Sequence, residues 1–447
     1  MNLYLTADDG STVSLVSDGV VLLDGYYPRT SRDQNTRVSD GFDLRINGTY
    51  AEISAKVAEI NRLFDYASRN YYGPVGVWLY FAMGSEPAWR ARVYGGLIEY
   101  DNRLGFYVGR QALKVGIVIE RDPFWEGPEA QIPLTNGNGT NNLSGINVFN
   151  CNDGTGTSPN KKNNYVEIAA ASIGGDLPAA VRLEMINSLD STARLQNIWM
   201  SLNNRSDPAN FQNILEAEDA SYGGSVVVSS SYSGGESSTF TWSGDNQAMI
   251  ARWTLDTTFL NRANKRWFKI LAAFTVAPSA NTIRVQCKIT FPAGTPLTEV
   301  ASSQEVLLSS TKMQEIGELQ IPPWLLSSGD LAPVDLTFYA KKTGGGSLGL
   351  DYLHITPLDG YRVLVPRGYG AAYLVRVVDD GINNQIYTDG WSPAGKTGHY
   401  TSVGKPLTVE PNKKQRIYFL QSGNTGDIST SRKLSVKAYY RPRRVGL

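Results

Sequence analysis

Two short segments, separated by more than a hundred residues, constrain the fold of this chain more than any other feature. Residues 215–220 read Leu-Glu-Ala-Glu-Asp-Ala, and residues 350–355 read Leu-Asp-Tyr-Leu-His-Ile. Between them lie short runs in which apolar and polar residues alternate, with no long stretch at helical spacing. Alternation with a period of two is typical of half-buried strands. We therefore predict that the two segments are the first and last strands of one β-sandwich.

The rest of the chain also favours strands. The 447 residues include 44 Gly, and turn clusters recur about every ten residues, as in sandwiches and barrels. We predict a mainly β chain in four parts. These are an N-terminal split-barrel-like α+β domain (1–130), an Asn/Gly-rich connector or arm (131–178), the β-sandwich (210–358), and a further β domain made of 179–209 and 359–447.

One helix interrupts the strand pattern near the N-terminus. Thr49 and Glu52 have the spacing of a capping box, in which the hydroxyl accepts from an early backbone N–H and the carboxylate reaches back. We predict a helix over residues 50–68, whose apolar face recurs at helical spacing and packs on the strands: Ile53, Val57, Ile60 and Phe64.

Charge and cysteine content narrow the function classes. The chain has 42 Lys and Arg against 42 Asp and Glu, and a neutral chain is poorly suited to neutralising the phosphates of nucleic acid. Zero net charge suits a subunit whose surface is covered in an assembly. Cys151 and Cys287 lie far apart, without zinc or redox spacing. No secretion signal or membrane span is expected from the apolar runs.

The specific signals of catalysis are missing from the sequence. The two histidines, His354 and His399, are not embedded in a zinc motif, and no Gly-x-Ser-x-Gly elbow follows a strand. A pair of carboxylates of the kind that cleaves glycosidic bonds stays open, because 42 acidic residues always offer a pair. We expect the protein not to be an enzyme.

Three acidic residues are candidates for a metal site. Glu216 and Glu218 are two residues apart, so on a strand both carboxylates point to one face, and Asp351 approaches them if the first and last strands pair. Three carboxylates form an oxygen-only site that suits Ca²⁺. The alternative is that these acids are solvated or paired with Lys and Arg.

The same residues carry a resemblance. Glu216-Ala217-Glu218 and Asp351-Tyr352 resemble the first and last strands of carbohydrate-binding modules of the Glu-Ala-Glu type. The resemblance implies a jelly-roll, galactose-binding-like sandwich, a structural Ca²⁺ at the three acids, and sugar binding by exposed aromatic rings. A sandwich that has lost its ligand is equally compatible with it.

Six aromatic residues of the sandwich were considered as sugar platforms: Tyr222, Tyr232, Trp242, Trp253, Trp267 and Trp324. Trp253 and Trp267 lie within alternating runs, so we expect them in the core. Tyr232 and Trp242 lie beside Ser- and Gly-rich loops and are the preferred carbohydrate-binding candidates.

A second resemblance involves both ends of the chain. The strand-first start, the capped helix and the exit Asp122-Pro123-Phe124-Trp125-Glu126-Gly127 resemble distal tail or tail-hub (baseplate) proteins of long-tailed bacteriophages. The ending Tyr439-Tyr440-Arg441-Pro442-Arg443 is similar to endings of phage structural proteins. The likeness covers about 130 residues at the N-terminus and, more loosely, the last 90.

The tail resemblance implies a virion structural protein that joins tail tube to tip and is assembled in the host cytoplasm. It also implies a homo-oligomeric ring, by likeness a hexamer, in which edge strands of neighbouring protomers close a continuous barrel. Its expected partners are tail-tube and tail-tip proteins and host-surface glycans, without sequence-specific nucleic-acid binding. The alternative is a free carbohydrate-binding or cell-surface adhesion protein without a tail role.

Overall fold

The strands and one helix are described in a computed structural model. It describes residues 1–31, 33–73, 75–100, 111–140, 143–151, 162–187, 194–204, 213–256, 266–291, 299–321, 333–372, 374–389, 399–423 and 433–446. Within these residues there is one α-helix, and most of the remaining regular structure is antiparallel strand. The prediction of a mainly β chain is confirmed.

The N-terminal part contains eight strands and the helix α1 (Tyr50–Arg69). The strands are β1 (Asn2–Ala7), β2 (Thr12–Ser14), β3 (Val20–Leu22), β4 (Val38–Asn47), β5 (Val77–Ala82), β6 (Trp89–Tyr100), β7 (Ala112–Arg121) and β8 (Trp125–Glu126).

The remaining strands follow in chain order. They are β9 (Ala130–Ile132), β10 (Leu134–Thr135), β11 (Ile146–Phe149), β12 (Tyr165–Ile168), β13 (Ala179–Asn187), β14 (Ile198–Asn203), β15 (Ile214–Glu216), β16 (Ser225–Val228), β17 (Glu236–Trp242), β18 (Ala248–Leu255), β19 (Trp267–Phe274), β20 (Arg284–Thr290), β21 (Glu299–Ser302), β22 (Val306–Leu307), β23 (Met313–Gln320), β24 (Val334–Lys341), β25 (Gly346–Pro357), β26 (Tyr361–Pro366), β27 (Arg376–Asp380), β28 (Gln385–Asp389), β29 (Tyr400–Gly404), β30 (Thr408–Val409), β31 (Gln415–Gln421), β32 (Lys433–Tyr440) and β33 (Arg443–Arg444).

The chain forms two compact units. The first contains Met1–Ala130, Gly174–Ala179 and Tyr440–Leu447, and the second contains Gln131–Ile173 and Ala180–Tyr439. The division into four parts predicted from the sequence stays a prediction.

A single sheet dominates the first unit, with the strand order β2-β1-β5-β6-β7-β4-β3 and with β8 and β33 attached. The two outermost strands of this order, β2 and β3, are three residues long, and the turn that joins them is closed by two backbone hydrogen bonds between Ser17 and Val20, at 2.8 and 3.1 Å. The sheet is barrel-like and nearly closed. The expectation that neighbouring protomers supply the closing strands stays a prediction.

Helix α1 packs into this barrel-like sheet. The predicted capping box is confirmed: Thr49 accepts from the Glu52 N–H, and the Glu52 carboxylate accepts from the Thr49 N–H at 2.7 Å. Of the predicted face, Ile53, Ile60 and Phe64 are buried and Val57 is half-buried, and the buried face also includes Leu63 and Ala67. The Phe64 ring lies against β6 at Gly96, where a Cβ would stand 2.6 Å from the ring.

Three layers make up much of the second unit. An inner sheet, β16-β17-β25-β19-β23 with β15, faces an outer sheet, β18-β24-β20-β21 with β22. Residues that alternate along β19 divide between two cores, because Phe268 and Ile270 face the outer sheet while Leu271 packs on the other side. On that other side lies a flanking sheet, β10-β12-β31-β14-β26-β29. Strands β25 and β19 of the inner sheet are thus buried along most of their length on both faces.

The span predicted as a connector contributes strands to the second unit. β10 and β12 belong to the flanking sheet, and β11 pairs with β32. Asn136, Asn138 and Asn163 are buried there, and their side-chain amides bond backbone groups of one another and of neighbouring residues at 2.6–2.9 Å. Buried amides of this kind fix loops that have few apolar residues. No helix in the described part of the chain has the length and apolarity to cross a membrane.

Candidate ion and carbohydrate sites

Pairing of the first and last strands of the sandwich brings the predicted acidic residues together. β15 runs antiparallel to β25, with Glu216 opposite Tyr352, and the Ala217 N–H donates to the Asp351 carbonyl at 2.9 Å. The Trp253 indole N–H donates to the Glu216 carbonyl at 2.7 Å and fixes the end of β15. The strand pairing that the two segments predicted is confirmed.

A short 3₁₀ turn, Ser233–Gly235, covers the three carboxylates. The Ser233 N–H donates to Asp351 Oδ1 at 3.0 Å, and its hydroxyl donates to Glu216 Oε1 at 2.6 Å. Gly234 has φ +64°, and a Cβ there would stand 2.8 Å from Glu218 Oε1, so the glycine makes room for that carboxylate. We call Glu216, Glu218, Asp351 and this turn the acid cluster.

One detail of the sequence argument is wrong. Glu218 was placed on the same strand face as Glu216, but β15 ends at Glu216 and Glu218 lies in the turn that follows. The Ala217 N–H still bonds the Asp351 carbonyl in the register of β15 and β25, and the chain then turns, with the Ala220 N–H donating to the Ala217 carbonyl. Glu218 nevertheless lies close to Asp351, since the turn redirects it toward the same carboxyl.

The electrostatics of the acid cluster favour protonation or a cation. Asp351 is only 2% exposed, and burial raises its pKa to about 9, with the Glu216 charge adding to the rise, the Ser233 N–H opposing it, and Glu218 raising it further. Burial also raises the pKa of Glu218. Without a cation, the Asp351 carboxyl is therefore protonated at neutral pH.

The acid cluster fits a hard cation in chemistry. Its side-chain donors are all oxygen, and Glu218 Oε2 is buried with no hydrogen-bond partner among the described residues. Its geometry does not complete the fit, because no group of three or more His, Cys, Asp or Glu side chains within the described ranges is arranged as a ligand shell. The cluster is a half-formed oxygen site in which burial raises the pKa of Asp351, with the charges of Glu216 and Glu218 adding to the rise, so that this carboxyl keeps its proton.

The predicted sugar platforms do not converge. Tyr232 is half-buried beside the acid cluster, and Trp242 lies at the other end of β17, roughly 20 Å away at 3.3 Å per strand residue. The Trp242 ring packs over Gly346, where a Cβ would stand 2.7 Å from it, and joins the sandwich core. The two rings therefore cannot stack on one saccharide unit.

Two other aromatic residues gave opposite outcomes. Trp253 is 4% exposed and lies in the core, as predicted. Trp267, also predicted in the core, is the first residue of β19 and is 51% exposed. Tyr222 is 50% exposed, and Trp324 lies outside the described residues.

A cleft of about 920 Å³ opens in the second unit between edge strand β23 of the inner sheet and strands β26 and β29 of the flanking sheet. Its floor is apolar and contains the buried residues Trp199, Tyr361, Val363 and Met313. Its rim includes Val403, which is 62% exposed. We call this site the β23–β29 cleft.

Charges in the β23–β29 cleft are paired with one another. Lys269 Nζ lies 3.2 Å from Glu315 and 2.5 Å from Glu318, and the Tyr361 hydroxyl donates to Glu315. Burial alone would lower the pKa of Lys269, but its contacts with Glu318 and Glu315 outweigh burial and raise it. Asp359 is paired with Arg266 at 2.7 Å, so Lys405 is the remaining charge in the lining.

Sequence reasoning missed the β23–β29 cleft. One wall comes from β23, and the other from β26 and β29, which begin about 40 and 80 residues after β23 ends. Trp199 and Tyr361 appear in the sequence as ordinary core positions of alternating runs. Only the face-to-face packing of inner and flanking sheets brings these residues together. A usable signal would have been the pair Glu315 and Glu318 on a strand with no other charged residue.

No family model matches the chain, and no curated protein matches it either. Among solved structures, two of the phage P2 baseplate in its activated conformation, one with Ca and one with Sr, match it at 8% sequence identity. The TM-scores are 0.24 and 0.21; the matches cover 77% of this chain and 99% and 98% of the respective matched chains. Likeness at this level carries no argument about function.

Proposed function

We propose that this chain is a structural subunit of the tail tip of a long-tailed bacteriophage, at the distal tail or baseplate, and that its second unit contacts neutral host-surface glycans without cleaving them. One observation carries the proposal. The two segments that resemble phage tail proteins, the exit after β7 and the C-terminal ending, lie more than 300 residues apart, yet pair with each other through β8 and β33.

The contacts of this pairing are specific. Arg443 lies opposite Glu126, with Nη2 at 2.8 Å from its carboxylate, and the Arg443 guanidinium stands over the Phe124 ring at 4.3 Å. The Gly127 N–H donates to the Pro442 carbonyl at 2.8 Å, and Arg441 donates to the Gly127 carbonyl. We call this arrangement the terminal clamp.

The terminal clamp suits a load-bearing subunit. The chain leaves the first unit after Ala130 and returns to it at Tyr440, with only Gly174–Ala179 of the residues between belonging to that unit. Both ends of this long stretch therefore lie close to the paired strands β8 and β33. A force on that stretch acts on the backbone hydrogen bonds between β8 and β33 and on the Arg443–Glu126 ion pair at the same time, and not on one end of the stretch alone. A projecting element of a particle needs such an anchor, whereas a freely diffusing enzyme does not.

The proposal includes a homo-oligomeric ring. Because the barrel-like sheet is nearly closed within one chain, we propose that copies in a hexameric ring meet through the outer surface of the first unit and not by exchanging barrel strands. The tail-tube and tail-tip proteins are the proposed neighbours of that ring, and the virion tail is its proposed location.

The β23–β29 cleft supports the glycan part of the proposal. An apolar aromatic floor with paired carboxylates and an amine at its sides resembles the general make-up of small-molecule sites, and its volume lies within their usual range of about 300–1,000 Å³. Because the charges of its lining other than Lys405 are paired, a neutral hydroxylated ligand fits it better than an ion. Sugars offer both an apolar face and hydroxyl groups to such a surface.

Labelling of purified particles tests the tail assignment. Particles purified from the host that encodes this chain are analysed by mass spectrometry and by immunogold electron microscopy with an antibody to residues 1–130. We expect the chain in stoichiometric amounts and gold at the tail tip. Finding the chain only in the particle-free fraction would favour the free adhesion protein and reject the tail role.

A separate binding experiment tests the cleft. Isothermal titration with neutral cell-wall oligosaccharides is compared for the wild-type chain, Val403→Arg at the cleft rim, and Val276→Arg, a matched change at a valine that is 71% exposed elsewhere. We expect Val403→Arg alone to reduce binding at least about tenfold. Equal binding by all three proteins rules out the cleft, and released reducing ends would reject the non-enzymatic assignment.

A further inference from the structure

Strand β16 (Ser225–Val228) is an edge strand whose four side chains are all exposed. Its three valines are between 43% and 77% exposed, although valine is normally buried in a sheet. Among the described strands, β16 pairs with β17 alone. An exposed apolar edge presents unpaired backbone groups that a further strand can bind.

The sequence around β16 lacks the features that usually protect an edge. No Lys, Arg, Asp, Glu or Pro occurs between Asp219 and Glu236. The opposite edge of the same sheet, β23, carries Glu315 and Glu318, as protected edges commonly do. The unprotected edge is therefore a local property of β16.

The hydrogen-bond pattern shows which backbone groups are available. The Ser229 N–H donates to the Gly235 carbonyl at 2.8 Å, in register with the β16–β17 ladder. Since alternate residues of a strand point their backbone groups in opposite directions, Val227 faces β17, whereas Val226 and Val228 direct their N–H and C=O groups away from it.

The residue pattern identifies the occupant. Residues 225–229 read Ser-Val-Val-Val-Ser, which is the same in both directions about Val227. We propose that β16 binds β16 of a second copy of this chain, antiparallel and with a two-fold axis at Val227, to form one continuous inner sheet across two molecules. The inference is independent of the proposed tail function.

The two-fold pairing satisfies every available group. With the axis at Val227, Val226 of one copy lies opposite Val228 of the other, and each such pair exchanges two backbone hydrogen bonds. Apolar side chains meet apolar side chains, and Ser225 meets Ser229. No charge opposes the contact, because the segment contains none. A C2 contact requires a self-complementary surface of this kind.

Site-specific disulfides test the register in the full-length chain. In the proposed pairing the two Val227 residues form a non-hydrogen-bonded pair about 4.5 Å apart at Cα, within disulfide range, whereas the two Ser225 residues are roughly 13 Å apart. We expect Val227→Cys to give a cross-linked dimer under mild oxidation and Ser225→Cys to give none. The native cysteines, Cys151 and Cys287, are buried and do not compete.

Sedimentation measures the same contact without cross-linking. Val228→Pro removes a donor that points away from β17, so it spares the pairing within the chain and removes two bonds of the dimer by symmetry. We expect the dimer dissociation constant of this variant to rise at least about tenfold. The control variant Val276→Pro changes a residue outside the strands and should leave the dissociation constant unchanged. A wild-type chain that stays monomeric over the concentration series, or equal cross-linking of both cysteine variants, overturns the proposal.

Discussion

Each unit of this molecule buries an aspartate, and the two aspartates are neutralised in different ways. In the first unit, Asp40 is 1% exposed and accepts from Arg121 Nε at 2.6 Å, from the Arg29 N–H at 2.8 Å and from the Tyr26 hydroxyl. In the second unit, Asp351 is 2% exposed, accepts from one N–H of Ser233, and faces other carboxylates.

The two aspartates differ in whether the chain itself supplies a countercharge. Asp40 receives a full countercharge from within the chain, so its environment is complete. Asp351 is surrounded by Glu216 and Glu218, and the chain can relieve their repulsion only by keeping a proton or by taking up a cation. If a calcium ion binds at these acids, as the sequence resemblance implies, it supplies the missing charge and the acid cluster locks β15 to β25.

Removing the countercharge in the first unit should have the largest effect. Arg121→Met leaves Asp40 buried without its cation and deletes the bonds of the guanidinium to the Arg29 and Asp122 carbonyls. We expect the free energy of unfolding of this unit to fall by about 3–5 kcal/mol. Denaturant unfolding measures this loss of stability. The unfolding is followed by the fluorescence of Trp125, whose ring centroid lies 4.5 Å from the Arg121 guanidinium carbon.

A double variant provides the control for that loss. Replacing Asp40 by Leu together with Arg121→Met removes both charges, so the destabilisation should be smaller than for Arg121→Met alone. A loss below about 1 kcal/mol for the single variant would show that Asp40 does not depend on its cation, and the contrast between the two units would disappear.

Calcium should stabilise only the second unit. At a calcium concentration about 100 times the dissociation constant, ligand linkage adds about 2.7 kcal/mol to the free energy of unfolding. We expect this gain for the wild-type chain and its loss in Asp351→Asn, measured by calorimetry in EDTA and in excess Ca²⁺. A gain retained by Asp351→Asn would place the ion elsewhere, and no gain in either protein would leave the proton as the only neutralising partner.

The pH dependence of stability should sharpen the same contrast. The pKa of Asp351 is about 9 in the folded state and about 3.9 unfolded, so the unfolded chain releases this proton first and stability falls as pH rises between those values. In EDTA we expect a slope of up to about 1.4 kcal/mol per pH unit from pH 7 to 9. Asp351→Asn should flatten it.

The window from pH 7 to 9 separates Asp351 from Asp122 in the first unit. Burial raises the pKa of Asp122 to about 6, so the loss of stability caused by its ionisation is complete before pH 7. The stabilisation by calcium should increase as pH rises, because calcium binds ionised carboxylates and its binding releases protons. A calcium effect that weakens between pH 6 and 8 would contradict the assignment of the ion to these acids.

The fold was predictable where the sequence repeats a local pattern. Thr49 and Glu52 define the start of the helix because their contacts involve neighbours in sequence, and alternation predicted the strands in the same way. The pairing of β15 with β25 could also be anticipated, since the segments 215–220 and 350–355 indicate the first and last strands of the sandwich. The near closure of the first sheet could not be predicted, because it depends on the pairing order of strands that are distant in sequence and its outermost strands, β2 and β3, have only three residues each.

The candidate sites were predicted only in part, for the same reason. The sequence identified Glu216, Glu218 and Asp351, but not the turn at Ser233 that supplies their donors, since Ser-Gly-Gly resembles any loop. It identified Trp242 as a carbohydrate-binding candidate, which stays a prediction, but not that the half-buried ring packs over Gly346, whose lack of a side chain matters only once β17 and β25 pair. Contacts between distant strands carry no signal in a single sequence.

The smallest effect concerns the turn that covers the acid cluster, and two neighbouring glycines allow a matched test. Gly234 and Gly235 both have positive φ, +64° and +90°, so alanine strains the backbone at either position by about 1–2 kcal/mol. Only at Gly234 does the new Cβ meet a carboxylate, at 2.8 Å from Glu218; at Gly235 nothing lies within 4 Å. We expect both variants to lose similar stability in EDTA, while Gly234→Ala alone loses calcium affinity, by about tenfold in titration calorimetry. If both variants bind calcium equally well, Glu218 is not a ligand, and the acid cluster reduces to the pair Glu216 and Asp351.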